Sequence, residues 1–197
     1  MIYYNSNKYG GVFKMNDFFD VLNELGEFTG NIASRDECHK NGYWHRAVYA
    51  FIIDKNFNIL LQKRSKNKKL WPNKWDVTVG GHVNTGEFGR QALIRECKEE
   101  LGIDIKDNEI KYIVGTTSIY NKDGYINNNF DECYLILKDV DVNKLVLQDA
   151  EVEEVKYFPY DEIINKINDN YNGLTEKTVS WHILKRLLES NIISELK

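Results

Sequence analysis

The sequence is sparing with cysteine: Cys38, Cys97 and Cys133 are the three in 197 residues, and no two stand in Cys-x-x-Cys spacing. An odd, scattered set builds no disulfide framework and fits a reducing compartment. Long apolar runs are missing as well. The longest, AVYAFII at 47–53, suits a buried strand and falls far short of the roughly 20 residues that cross a bilayer. The opening MIYYNSNKYGG has no charged stretch followed by an apolar one, so no secretory leader is expected, and the expected location is the cytoplasm. Charge of one sign is not in excess either. A net charge of −4 gives no basic surface for a nucleic-acid polymer or an anionic membrane. There is no internal repeat. What is present, 42 % hydrophobic and 28 % charged residues, is the composition of a globular chain long enough to bury a sizeable core.

Hydrophobic patterning sets the expected elements. DFFDVLNELGEFTGNIA at 17–33 predicts a hairpin around Gly26, and RDECHKNGYWHR at 35–46 a loop. RAVYAFIID and ILLQKRS predict a hairpin of two buried strands, followed by a basic, aromatic loop, KNKKLWPNKW, around Pro72. DVTVGGHV at 76–83 reads as a strand ending on paired glycines. A helix is expected from about Thr85 to Leu101, stopped by Gly102. KYIVGTTSIY and FDECYLILKDV predict a strand pair around the turn signal NKDG, EVKYFPY a last strand, and DEIINKI and TEKTVSWHILKRLLESNII amphipathic helices. The sum is an α/β (α+β) fold, a mixed β-sheet between helices. The expected organisation is an N-terminal extension over 1–16, a single domain over 17–190 with its core at about 45–175, and a tail over 191–197.

One helix carries an anomaly. In RECKEELG at 95–102, Glu96, Glu99 and Glu100 stand at i, i+3 and i+4, one face of a helix. Like charges at that spacing destabilise a helix by roughly 0.2–0.5 kcal/mol per pair. Either the face is solvated, or a divalent cation offsets the repulsion. Hard cations such as Mg2+ take clustered carboxylate oxygens, neutralise phosphate oxygens and acidify bound water.

The context of that helix resembles the Nudix box, G-x5-E-x7-R-E-U-x-E-E-x-G-U with U a bulky apolar residue. Gly81, Glu87, Arg95, Glu96, Glu99, Glu100 and Gly102 match every fixed position between 81 and 103, and Cys97 departs mildly at one U position. The resemblance implies the Nudix fold and Mg2+- or Mn2+-dependent cleavage of a diphosphate linked to another moiety, typically a nucleoside. It implies that Glu96, Glu99 and Glu100 hold the metal, with Glu99 or Glu100 orienting or deprotonating water. Glu87 and Arg95 would brace the loop against the helix, and the backbone of Gly80 and Gly81 would approach metal or phosphate closely. Homodimerisation is common in that family; the sequence marks no interface for it.

The run HKNGYWHRAVYAFIIDKNFNILLQKRSKNKKLWPNKWDVTVGGHVNTGE further resembles the branch of the family that includes type I isopentenyl-diphosphate isomerases. That likeness puts Gly80 where the isomerase carries its catalytic cysteine, and Cys97, on the box helix, is not placed to replace it. His82 matches a metal-site histidine, His39 and His45 stand near two others with spacing one residue shorter, and Glu132 matches a late glutamate of which Glu99 and Glu100 are rivals as base. Phe130 occupies the place of a second late glutamate. These histidines with Glu132 form a metal-type set or, blandly, are loop and strand-end side chains in ordinary hydrogen bonds. Arg64 with Lys68 or Lys69, from KRSKNKK, would face the diphosphate, or else belong to a solvated loop. Trp71, Trp75 and Tyr120 are candidates for stacking on a base or for the core. Glu153 or Glu154 is a late carboxylate or a solvated strand edge, and His182 ordinary surface or core. Beside the hydrolase stand three further readings: the isomerase, a non-catalytic nucleotide sensor, and a pyrophosphatase for damaged nucleotides that differs only in substrate.

Overall fold

The computed structural model describes residues 18–190, so the expected N-terminal extension and the tail over 191–197 lie outside the described residues. Strands β1 (Phe18–Leu22) and β2 (Phe28–Ser34) form the expected antiparallel hairpin, with Gly26 in its turn at φ 81°. Helix α1 (Arg35–Asn41) replaces the expected loop. The reason is local. Ser34 and Glu37 form a reciprocal capping box, and Gly42, at φ 69°, closes the last turn in the left-handed conformation. The Ser-x-x-Glu signature was present in the sequence, but no apolar periodicity follows it.

The main sheet is mixed. β3 (His45–Ile53) is its centre, antiparallel to β4 (Ile59–Arg64) and β6 (Val79–His82) and parallel to β8 (Tyr125–Leu137). β5 (Trp75–Asp76) and β9 (Val152–Phe158) pair with β4, and β7 (Ile110–Lys122) pairs with β8. The expected single strand over 76–83 is thus two short ones. β7 and β8 run longer than their apolar stretches, because Asp123 (φ 52°) and Gly124 (φ 78°) make a two-residue turn whose twist suits the flanking strands.

A strand buried on both faces reads as unbroken apolar sequence, which explains AVYAFII. Val48, Ala50 and Ile52 pack under helix α2 (Gly89–Leu101) through Ala92, Leu93, Cys97 and Leu101. Tyr49, Phe51 and Ile53 pack on the opposite side against Ile163 of α3 (Tyr160–Asn168) and Trp181, Leu184 and Leu187 of α4 (Thr178–Glu189). The sheet therefore lies between helices. Helix α2 begins at Gly89 rather than near Thr85, since residues 84–88 form the loop on which Glu87 sits; Gly102 ends it at φ 69°, as expected.

Candidate active site

A cleft of about 590 Å3 opens over the β3–β6–β8 face and is bounded by the acidic side of α2. Glu96, Glu99 and Glu100 all line it. Arg95 is the hub of this wall. Its guanidinium donates to both carboxylate oxygens of Glu87 at 3.0 Å, to Glu96 at 2.7 Å, to Glu99 at 3.2 Å and to the His82 carbonyl at 3.0 Å. Glu87 in turn accepts from the Asn84 backbone N–H at 3.0 Å, and its own carbonyl accepts from Arg46 at 2.7 Å. The loop carrying Glu87 is thereby tied to α2 and to β6.

Gly81 leaves room for the metal-type carboxylates. A Cβ there would stand 2.0 Å from the Glu96 Oε1. Gly80 donates its backbone N–H to the Glu100 carboxylate, which also accepts from Gln62 at 3.1 Å. Glu100 is buried, and burial together with the charges of Glu96 and Glu151 pushes its carboxyl up to about 8. Burial raises Glu96 as well, against the pull of Arg95. Such carboxylates lack a counter-charge equal to their number. A hard divalent cation fits them, because all the free donors on this wall are oxygens.

The three histidines meet. His45 and His82 are brought alongside by the β3–β6 register, in which Ala47 pairs with His82, and His39 reaches them from α1. Their nearest ring nitrogens all lie within 4.8 Å of one another. Phe19 of β1 stacks on His45 and His82 at 5.0 and 4.8 Å between ring centres. The His45 Nδ1 lies 2.8 Å from the Tyr43 carbonyl, which only accepts, so Nδ1 carries the proton and Nε2 the lone pair. That Nε2 is buried without a hydrogen-bond partner. Burial, with the charge of Arg35, lowers all three rings, His39 to about 4, and the neighbouring imidazoles add to this at His39 and His82. Neutral imidazoles at this spacing fit a nitrogen-preferring cation.

Glu132 is not among them. Adjacent strand residues point to opposite faces, and Glu132 lies on the α2 side, packed against Gly89 and accepting from the Tyr134 hydroxyl. It is thus outside the histidine group and does not line the cleft that Glu99 and Glu100 line. Arg64 lines the cleft beside Trp71, donating to Asp76 at 3.0 Å and to the Leu70 carbonyl at 3.0 Å. Lys68 also lines it, ion-paired with Glu151. Lys69 is exposed and does not line the cleft. Trp71 and Tyr120 meet edge to face at 5.1 Å on the cleft wall, whereas Trp75 packs on Phe158 in the α3–α4 core. Glu153 and Glu154 are exposed on β9, and His182 is exposed on α4.

Sequence reasoning missed Gln62, Glu151, Asn127, Asn129 and Asp131, all in the cleft. Three carried a signal. Gln62 interrupts the apolar run of β4, and Asn127–Asn129 is a polar patch within a strand.

Residues 43–178 match the family described as NUDIX domain. Nudix hydrolase 3 of Arabidopsis thaliana is 40 % identical over 154 residues, covering 76 % of this chain but 20 % of that protein. An uncharacterised Nudix hydrolase of Listeria monocytogenes is 34 % identical over 145 residues, 74 % of this chain and 81 % of that protein. The isopentenyl-diphosphate Delta-isomerase of Haloarcula marismortui is 29 % identical over 145 residues, covering 73 % and 71 %. In three dimensions a crystal structure from Deinococcus radiodurans superposes with a TM-score of 0.66 at 21 % identity, over 86 % of this chain and 98 % of that one.

Proposed function

This chain belongs to the Nudix hydrolase family, and from that premise we propose that it is a Mg2+-dependent enzyme cleaving the diphosphate linkage of a nucleoside diphosphate joined to another moiety. The observation that carries the reading is the convergence of Glu96, Glu99 and Glu100 on one cleft wall, two of them drawn out of water, with Arg95 between them and the loop. Burying carboxylates without a cation is costly. When bound, Mg2+ or Mn2+ would supply charge neutralisation on the phosphate oxygens and a more acidic water. Glu96 and Glu100 hold the cation, supported by the Gly80 N–H. Glu99, with 45 % of its side chain exposed, is the carboxylate best placed to orient or deprotonate water. Arg95 and Glu87 position the carboxylates. Arg64, held near the cleft by Asp76, and Lys68 offer cations to the transferred phosphates.

The histidine trio belongs to the same reading as a second site for a nitrogen-preferring cation, supported by the unpartnered His45 Nε2. Isomerisation has less support. It needs an acid–base group at Gly80, and Cys38, Cys97 and Cys133 are all buried away from the cleft. The partner is a small molecule rather than a nucleic-acid polymer, in line with the net charge of −4, and no helix among the described residues is long and apolar enough to cross a membrane.

The test is product release from a panel of nucleoside diphosphates and triphosphates, sugar nucleotides, dinucleotides and isopentenyl diphosphate, with Mg2+ or with EDTA. Metal-dependent release of a phosphate-containing product, lost in Glu99→Gln, is expected. Binding without hydrolysis of any compound would replace the enzyme with a sensor. Conversion of isopentenyl diphosphate to its isomer would overturn the reading from Gly80.

A further inference from the structure

Strand β4 runs beneath the acidic side of α2, and its residues alternate between the two faces of the sheet. Ile59 and Leu61 pack into the α3–α4 core, and Leu60 packs under α2. Gln62 follows Leu60 on the α2 side. It is 5 % exposed and lines the cleft. Its Nε2 donates to the Glu100 carboxylate at 3.1 Å, and the same carboxylate accepts from the Gly80 backbone N–H. A charged carboxylate only accepts, so this contact fixes which end of the amide faces Glu100. The other end, Oε1, is buried and has no hydrogen-bond partner.

Buried acceptors elsewhere, such as Oδ1 of Asn128 outside the cleft, lack partners too. Gln62 differs by its place, because its amide is bonded to a carboxylate of the acidic wall. The cations Arg64, Lys68 and Arg95, which line the same cleft, are directed at Asp76, at Glu151, and at Glu87, Glu96 and Glu99. A methionine would fill the same volume without a polar group to desolvate. An amide is costly there unless both of its ends are used. Glu100 uses one end. The acidic wall indicates what uses the other. Mg2+ dehydrates reluctantly and keeps several waters when carboxylates bind it. Those waters turn their hydrogens away from the cation, so they need acceptors at a place from which bulk water is withdrawn.

We propose that Gln62 is a positioning residue of the cation site: its amide N–H sets the Glu100 carboxylate, and its carbonyl oxygen accepts from a water of the cation's hydration shell. The proposal rests on the cation reading above and adds to it a neutral residue of β4 that lies outside the 81–103 motif. Only an amide does both tasks. A glutamate offers acceptors and no donor to Glu100, and a methionine offers neither.

The test is the melting temperature of the full chain, without nucleotide, as a function of Mg2+ concentration, since a cation that binds the folded protein raises it. Mg2+ is the probe because its preference for oxygen keeps it off the histidine trio. The wild type is expected to melt higher as Mg2+ is added. Gln62→Met, which keeps the size and loses both ends of the amide, should need at least about tenfold more Mg2+ for the same rise. Gln62→Glu, which loses the donor and keeps acceptor oxygens, should need no more Mg2+ than the wild type. Should Gln62→Met fail to fold, Gln62→Leu carries the same comparison. A Gln62→Met titration superimposed on the wild type, with Glu100→Gln displaced, would overturn the proposal and leave the cation reading standing. Gln62→Glu as weak as Gln62→Met would overturn it as well, because loss of the amide N–H would then account for both. No rise in the wild type, or a rise that Glu100→Gln leaves unchanged, would sink the cation reading and this proposal with it.

Discussion

Arg95 holds four groups at once: Glu87, Glu96, Glu99 and the carbonyl of His82. A planar fork is needed for that, so lysine is not an equivalent replacement. Arg95→Lys is expected to reduce kcat/KM of the panel's best substrate by about 10–100-fold, the range found when groups that orient metal ligands are lost, with a rise in the Mg2+ concentration needed for half-maximal rate. An unchanged Mg2+ requirement would mean that Arg95 does not position the carboxylates. Asp76 is the other residue with concentrated partners. It is 1 % exposed; burial alone would raise its carboxyl, but Lys177 and Arg64 beside it win and hold it below its ordinary range. A carboxyl lowered on folding stabilises the native state above its unfolded pKa of about 3.9, and that contribution is lost as pH falls through the folded value. Asp76→Ala should therefore cost about 3–5 kcal/mol at pH 7, since it strands two cations. The mutant's deficit relative to the wild type should shrink as the pH is lowered toward and below 3, as measured by urea denaturation across pH. At this scale the sequence was legible where a motif names both type and spacing. Glu96, Glu99, Glu100, Glu87 and Arg95 could be listed before any fold was known. Asn129 could not, because nothing in an isolated Asn says that its amide nitrogen will be spent on Asp131 and its carbonyl left over.

Among elements, α1 is the one that sequence patterning assigned to a loop. Seven residues give too little length for a periodic apolar face, so its ends rather than its middle specify it. It brings His39 to His45 and His82. Ser34→Ala removes the N-cap and is expected to cost about 0.5–2 kcal/mol, or roughly 2–4 °C in Tm per kcal/mol for a chain of this size. Gly42→Ala should cost more than the cap, because φ is 69° and the added Cβ would meet Ile126 at 2.9 Å. Differential scanning calorimetry of both variants checks the order; equal Tm values for Gly42→Ala and wild type would contradict the assignment of the helix stop. The central strand shows the converse. AVYAFII was readable as a buried strand, yet its parallel pairing with β8 comes from residues more than seventy positions away, a choice that no local pattern contains.

For the whole molecule, the layers on the two faces of the sheet enclose Cys97 and Cys133, and the β1–β2 hairpin with α1 encloses Cys38. Burial pushes the thiols of Cys38, Cys97 and Cys133 up to about 12. A thiol-specific reagent at pH 8 should label none of the three in the folded protein and all three in denaturant, and rapid labelling of the native chain would show that the core around them opens. The same architecture sets acidic α2, His82 of the histidine trio, and Asn127 and Asn129 of β8 around one cleft. Chain order gives no hint of that meeting: the three come from residues 96–100, 82 and 127–129.

The central claim is that the acidic face of α2 is a divalent-cation site serving diphosphate hydrolysis. The most direct measurement is the initial rate of the best panel substrate as a function of Mg2+ concentration, in wild type and in Glu100→Gln, which keeps the size of the side chain and removes its charge. No rate is expected without Mg2+, saturation in the wild type, and in Glu100→Gln a lower maximal rate with half-saturation displaced to at least about tenfold higher Mg2+. A rate independent of Mg2+, or superimposable titrations for the two proteins, would contradict it.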